Sequence, residues 1–304
     1  MKIMITGSNG FIGTYISNYL ENHGHEILRV VRYKENACDV KRFHTLDFEK
    51  MEASQHLFQA VDAVIHLAGL AHIPEKNLDL LDARKINVTQ TLNLASQAKK
   101  NGISKFVFLS SVKVLGEDSG DSFFSDTSAP TPTTVYGNLK WEAEEALRHL
   151  FDKKTSFLFV RAPLVYGPLV KANFLSLLKI INTGLPLPLR SVQSYRSLLF
   201  VGNLADAIHC YLINDNPESG AYLLCDGDAQ SIPAICHFLG ESLNRKVRLF
   251  SVPKSFLSWF PGGSKLTSSL VISDSTFRSH FSWDPPFTLN EGLAETAKWY
   301  LTRQ

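Results

Sequence analysis

Apolar positions along the first half of the chain follow two rhythms in turn. Short continuous apolar runs at 2–6, 26–32, 63–67, 105–110 and 156–161 have the length and β-branched content of buried strands. Between them, residues 11–23 set Phe11, Ile12, Tyr15, Ile16, Tyr19 and Leu20 on one face of a helix. Residues 83–101 read as a long helix closed by Gly102, and 138–150 as another amphipathic helix. Strands alternating with helices imply right-handed crossovers and an α/β architecture, a doubly wound parallel sheet covered on both faces.

From about Pro168 the rhythm changes, and prolines at 186, 188, 217, 253, 261, 285 and 286 punctuate mixed segments. Helices are expected at 173–183, 204–214, 231–244 and 289–301. The division this implies is a sheet domain over 1–167 and a smaller mixed α/β cap over 168–304. Residues 195–201 read as a strand, so 195–212 is a candidate to rejoin the main sheet.

Composition narrows the partners. Of 304 residues, 44% are hydrophobic and 20% charged, and 31 basic residues against 29 acidic ones leave +2. That balance gives no reason to expect a nucleic-acid or membrane-surface partner. Cys38, Cys210, Cys225 and Cys236 form no CxxC pair and have no zinc-ligand spacing, so reduced thiols and no metal are expected. The first six residues run straight into a glycine loop without a charged-then-apolar leader, and the apolar stretch 61–71 is too short to span a bilayer. A cytoplasmic protein is expected.

The glycine loop is Thr6-Gly7-Ser8-Asn9-Gly10-Phe11-Ile12-Gly13, between the first strand and the first helix. Gly7 permits a tight turn, Gly10 lets the backbone approach a pyrophosphate, and Gly13 allows close helix–strand packing. The anion would sit on N–H groups at the positive end of the helix. In this context the loop predicts a dinucleotide cofactor and a Rossmann-type sheet. Binders of NAD commonly end the second strand in an acid that bonds the ribose; here Val31 and Arg32 stand there. A guanidinium, helped by Arg29 or Lys34, matches a 2′-phosphate, which favours NADP(H) and leaves NAD(H) as the alternative.

Tyr136-Gly137-Asn138-Leu139-Lys140 sets a phenol and an ammonium four residues apart, on one helical face. A free phenol titrates near ~10, and a fixed cation one turn away is expected to bring that value down. Ser111 closes the strand about 25 residues earlier and can reach the crevice where such sheets bind ligands.

With these residues in place, the chain resembles the extended short-chain dehydrogenase/reductases, the NAD-dependent epimerase/dehydratase family. The resemblance is carried by the glycine loop, Asp47, His66-Leu67-Ala68-Gly69, Asn87-Val88, Phe108-Leu109-Ser110-Ser111, the YGNLK run, Arg161–Pro168 and Arg196–Asp206, nearly the full chain. It implies Tyr136 as acid/base, Lys140 as the group that orients the nicotinamide ribose, and Ser111 as the holder of the sugar oxygen. The implied cofactor contacts are Gly7, Asn9, Gly10, Phe11, Ile12, Gly13, Arg32, Asp47 at the adenine, Phe48, Leu67, Ala68, Gly69, Asn87 and Pro163, with Tyr136 and Lys140. Arg196 and Asn173 would hold a substrate diphosphate, with Lys113 and Ser111 nearby. Three positions depart from the family pattern: Leu139 replaces a small residue, Leu115 a tyrosine and Val31 the ribose-binding acid.

Within the family, 110–117, 165–178 and 194–208 are most similar to bacterial nucleotide-sugar 4-ketoreductases, and the pattern is also similar to UDP-hexose 4-epimerases. The resemblance thus implies hydride transfer at C4 of a UDP-linked sugar for surface-polysaccharide precursors, with a 4-keto-6-deoxy sugar reduced by NADPH preferred. The alternatives are an NAD-dependent 4-epimerase and a non-catalytic NADP(H)-binding regulator. A 4,6-dehydratase needs an Asp-Glu pair where Val112-Lys113 stand. Relatives dimerise through the helices predicted at 83–101 and 138–150, so a homodimer is expected.

Overall fold

The computed structural model describes residues 1–32, 43–70, 79–253 and 268–303. The runs read as strands form β1 (Lys2–Thr6), β2 (Glu26–Val31), β3 (His44–Thr45), β4 (Ala63–His66), β5 (Lys105–Leu109) and β6 (Ser156–Arg161). With β10 (Gly220–Leu223) they make a parallel sheet ordered β10-β6-β5-β4-β1-β2-β3, seven strands among the described residues. The order reverses between β1 and β4, which opens the crevice where ligands bind in such sheets. This is the doubly wound, Rossmann-like fold that the alternating pattern predicts.

Each face has its own core. On one, Ile3, Ile5, Ile65 and Val107 pack against α1 (Phe11–Asn22) and α6 (Val201–Ile213) through Ile16, Leu20, Leu204, Ile208 and Tyr211. On the other, Met4, Val64, Phe106 and Phe108 meet α3 (Gln90–Lys100) and α4 (Val135–Leu150) through Leu94, Ala98, Leu139, Ala143 and Leu147.

Three boundaries differ from expectation. The helix read over 83–101 is built as α2 (Leu80–Arg84), a π-helical turn over Lys85–Thr89, and α3. Asp79 caps it by accepting from the Leu81 and Asp82 amides at 2.9 and 3.4 Å. In the wide turn, Asn87 Nδ2 donates to the Ala83 carbonyl and Thr91 Oγ1 to that of Asn87. Helix α4 begins at Val135 rather than 138, because Thr134 accepts from the Gly137 amide at 3.1 Å and Tyr136 joins the first turn.

The third difference is in the cap. Residues 195–201 do not rejoin the main sheet. They split into β8 (Tyr195–Arg196), paired with β11 (Gln230–Ser231), and β9 (Leu198–Phe200), paired with β7 (Leu164–Tyr166). Between β8 and β9, the Ser197 amide donates to the Leu270 carbonyl and its hydroxyl accepts from the Ile272 amide, which ties this strip to 268–272. What does return to the main sheet is α6, packed under it beside α1, and β10 at its edge. A separate core joins α5 (Ala172–Thr183), α7 (Ile232–Ser242) and α9 (Leu289–Leu301), while α8 (Ser275–Phe281) packs onto the sheet side.

Candidate active site

The glycine loop leaves β1 and turns sharply. Gly7 has φ +70°, and a Cβ there would lie 2.9 Å from the Ala68 nitrogen. Its amide donates to the Val30 carbonyl at 3.1 Å, and Gly10 N to the Gly7 carbonyl at 3.0 Å. A Cβ on Gly13 would overlap the Gly7 carbonyl oxygen, so only glycine lets α1 come this close to β1. Helix α1 opens at Phe11 with Gly10 as N-cap and no side-chain cap, so Phe11, Ile12 and the residues after them present their amides toward the loop. Asn9 is exposed at the tip. This cradle, with Leu67-Ala68 against Gly7, has the form a pyrophosphate needs at a helix N-terminus.

The end of β2 is less favourable to a 2′-phosphate than expected. Val31 is buried at 3% exposure. Arg29 is also buried, and its guanidinium is taken by Glu21 and by Asn18 at 2.9 Å, so it cannot assist Arg32. Lys34 lies outside the described residues. Arg32 is exposed and turns to Gln90 Oε1, 2.9 Å away at the start of α3. Asp47, exposed, accepts from the amides of Glu49 and Lys50 at 2.9 and 3.3 Å and so ends a turn. Phe48 is buried in the sheet core, its ring 6.3 Å from that of His66.

Lys140 is buried in α4 and donates from Nζ to the Leu109 carbonyl at 2.8 Å, lying 4.3 Å over the Phe108 ring and 5.8 Å from the Tyr136 ring centre. Burial lowers its pKa to about 8. Tyr136 is half-buried, and desolvation pushes its phenol up to about 12. This overturns the expectation of a lowered phenol. The ammonium is committed to Leu109 and Phe108, and burial outweighs it. A Cβ on Gly137 would collide with the Lys113 carbonyl at 2.5 Å, so the first turn of α4 is pressed against the strand-end loop that carries Ser111. Ser111 is the cap of the turn Val112–Val114 and accepts from the Lys113 amide at 3.3 Å.

The same corner holds the ends of β1, β4 and α3 together. Thr91 donates to Asn87, so His66 Nε2 must donate to Thr91 at 2.9 Å, and His66 Nδ1 accepts from Thr6 at 2.6 Å. Full burial holds His66 neutral, its pKa lowered to about 3, with the Lys140 charge adding to the effect. Asn87 Oδ1 accepts from the Leu70 amide at 3.0 Å, and a Cβ on Gly69 would meet Asn87 Oδ1 at 2.9 Å and Lys140 Nζ at 3.6 Å. Gly7, Ala68, Gly69, Asn87 and Lys140 are therefore neighbours, although the sequence spreads them widely.

The residues expected at the substrate are less gathered. Arg196 is half-buried, and its Nη2 donates to Ser268 Oγ at 3.3 Å. Burial lowers its pKa while the carboxylates of Asp118 and Glu117 hold it up. Lys113 pairs with Glu117 at 2.8 Å, so Lys113, Glu117 and Arg196 share one charged neighbourhood. Asn173 stands exposed on the first turn of α5, a separate element, and Pro163 is buried between β6 and β7. Leu115 and Leu139 both lie in cores, so neither departure shapes an open pocket.

Sequence reading passed over Ser110, Glu144 and Arg161 as a group. Glu144 is fully buried, accepts from the Ser110 hydroxyl, and is clamped by Arg161 at 2.7–3.2 Å. The available signal was an acid four residues after Lys140. Among the described residues no His, Cys, Asp and Glu group could hold a metal, and no helix is long and apolar enough to cross a membrane.

Residues 3–225 match the NAD dependent epimerase/dehydratase family, and the chain belongs to it. Across 99% of this chain and 95% of the relative, it is 33% identical to a UDP-glucose 4-epimerase of Vibrio cholerae. Across 98% and 95% it is 24% identical to the N-acetyl-alpha-D-glucosaminyl-diphospho-ditrans,octacis-undecaprenol 4-epimerase of Escherichia coli O157:H7. Its fold matches the UDP-glucose 4-epimerase of Thermotoga maritima, solved with UDP-glucose, at TM-score 0.80 and 20% identity over 100% of this chain and 99% of that one. It matches the Thermus thermophilus UDP-glucose 4-epimerase, solved with NAD, at TM-score 0.80 and 21% identity over 99% of both. The chain is an enzyme of the nucleotide-sugar epimerase/dehydratase type.

Proposed function

We propose that this protein is an NAD-dependent 4-epimerase of a UDP-linked hexose. The observation that carries the chemistry is the meeting of Tyr136, Lys140 and the Ser111 loop beside the glycine cradle. The full-length likeness to a UDP-glucose 4-epimerase favours epimerisation over net reduction. A bound nicotinamide would supply a reversible hydride acceptor. Tyr136 removes the C4 hydroxyl proton and returns it after the sugar turns over, and Ser111 holds the same oxygen. The phenol is raised to about 12 by burial, and the Lys140 ammonium, 5.8 Å from its ring centre, is the charge that would favour its ionised form. Gly7 to Gly13, Leu67 to Gly69, Asn87 and Pro163 would hold the cofactor, and Arg196, Lys113 and Asn173 the diphosphate and sugar. We further read the protein as a cytoplasmic homodimer, joined through α3 and α4.

A second reading, a 4-ketoreductase of a 4-keto-6-deoxy sugar using NADP(H), is favoured by one observation. Strand β2 ends without an acid, and Arg32 is exposed beside that end. A dehydratase is disfavoured by Val112-Lys113, although one relative, 25% identical, is a dTDP-glucose 4,6-dehydratase of Haemophilus influenzae. The test is the dinucleotide content of the purified protein, and its action on UDP-glucose and UDP-galactose without added cofactor. Stoichiometric NAD with interconversion supports the epimerase. An empty site, with NADPH consumed only on a UDP-4-keto-6-deoxyhexose, replaces it with the ketoreductase.

A further inference from the structure

Lys140 and Arg161 are both buried, at 4% and 3% exposure, and the carboxylate that Arg161 bonds and whose charge acts on Lys140 is Glu144, at 0%. Glu144 follows Lys140 by one helical turn, on the same face of α4. Its orientation is over-determined. Ser110, at the end of β5, donates its hydroxyl to one oxygen, and Arg161, at the end of β6, meets both oxygens at 3.2, 3.2 and 2.7 Å. Arg148 Nη2, one turn further along α4, approaches at 3.9 Å. The Arg161 guanidinium is backed by the Trp141 ring at 5.8 Å and lies within reach of the Asp126 charge. The groups facing Lys140 are Tyr136 and Glu144 on its own helix, neutral His66 on β4, the Leu109 carbonyl and Phe108 ring on β5, and Asn87 across Gly69. Among these, Glu144 alone brings a negative charge.

We propose that Glu144 is a positioning residue whose carboxylate, clamped by Ser110 and Arg161, keeps Lys140 charged in its buried seat and so sets the upper pH limit of the site. The proposal rests on the reading of Tyr136 and Lys140 as the working pair. Burial alone drives the ammonium toward its neutral form, and a carboxylate one turn away opposes that, the two influences that leave Lys140 at about 8. The clamp also explains the division of labour between adjacent serines. Ser110 is turned inward to Glu144, while Ser111 faces the loop at the crevice.

The test follows the charge of Lys140 directly. Lysine labelled with 13C at Cε gives one resonance that Lys140→Arg identifies, and its titration midpoint is read on the full chain at matched dinucleotide content. Glu144→Gln strands Arg161, so the deciding comparison sets Arg161→Met against Glu144→Gln with Arg161→Met, which differ from each other by the carboxylate alone. The midpoint is expected to fall by about one pH unit, a tenfold loss of charged lysine above it. The alkaline limb of kcat/KM on UDP-glucose should move down with it, because activity is lost as pH rises through the Lys140 pKa. A folded double variant whose midpoint stays within a few tenths of that of Arg161→Met overturns the proposal. So does loss of the fold in that variant, which assigns the cluster to packing. Near-normal turnover by Tyr136→Phe would instead remove the active-site reading and leave the midpoint comparison standing.

Discussion

The proposed cofactor side and the proposed substrate side of the crevice are built in opposite ways. The cofactor side is mostly backbone: the glycine loop, the Leu67–Gly69 strand end and the π-helical turn around Asn87 pack so tightly that a Cβ at Gly7, Gly13 or Gly69 would meet a neighbour. The chain Thr6, His66, Thr91, Asn87 locks these pieces at 2.6–2.9 Å. The substrate side is side chains on unrelated segments. Arg196 on β8 leans on Ser268, Lys113 pairs with Glu117 in the loop after β5, and Asn173 stands exposed on α5. The first arrangement, proposed for the dinucleotide, leaves little room for change. The second can be retuned one side chain at a time, so it is where substrate choice is expected to reside.

The difference can be broken at its centre or at either side. The largest effect is expected at the junction: Tyr136→Phe should cut turnover by roughly two to four orders of magnitude while dinucleotide affinity stays level, measured by steady-state rates and cofactor titration. Next comes Arg196→Ala, which should weaken UDP binding by about 2–5 kcal/mol and spare the dinucleotide. Equal UDP affinities by calorimetry would take Arg196 out of the site.

On the cofactor side, His66 makes a stability prediction. It is neutral when folded, with its pKa lowered from 6.5 to about 3, and takes up a proton near 6.5 once unfolded. Its contribution is complete above pH 6.5 and lost as the pH falls toward 3, at a slope approaching about 1.4 kcal/mol per pH unit. Denaturant unfolding across that range should show the slope in wild type and lose it in His66→Gln. A parallel decline in both would mean that other groups carry it. The smallest effect concerns Arg32. Because Val31 is buried, an acid there would also disturb the core, so Arg32→Ala is the cleaner probe. If the ketoreductase reading holds, NADPH affinity should fall about tenfold with NADH unchanged. Equal affinities for the two in wild type leave the NAD epimerase.

Much of the sheet was legible because its strands are buried on both faces and therefore read as unbroken apolar runs, as at Lys2–Thr6 and Ser156–Arg161. The π-helical turn was not, since no local periodicity marks where the Asn87 and Thr91 side chains bond backbone carbonyls. Nor was the fate of 195–201, whose β-rich run is satisfied by Leu270 and Ile272 more than seventy residues downstream. The state of the Tyr136 phenol is not legible for the same reason. A four-residue spacing places an ammonium nearby, but whether it points at the phenol or at the Leu109 carbonyl depends on how α4 meets β5.

By itself the sequence determined the order of elements, the glycine cradle, the family and the Tyr136/Lys140 pairing, because each is written in residues close together along the chain. Only the tertiary structure decided which charges face one another: Arg29 spent on Glu21, Arg32 turned to Gln90, and Glu144 enclosed by Ser110 and Arg161 beneath Lys140. Electrostatic influence follows distance and burial, and both are set by which strand ends and helix faces come together, not by separation in sequence.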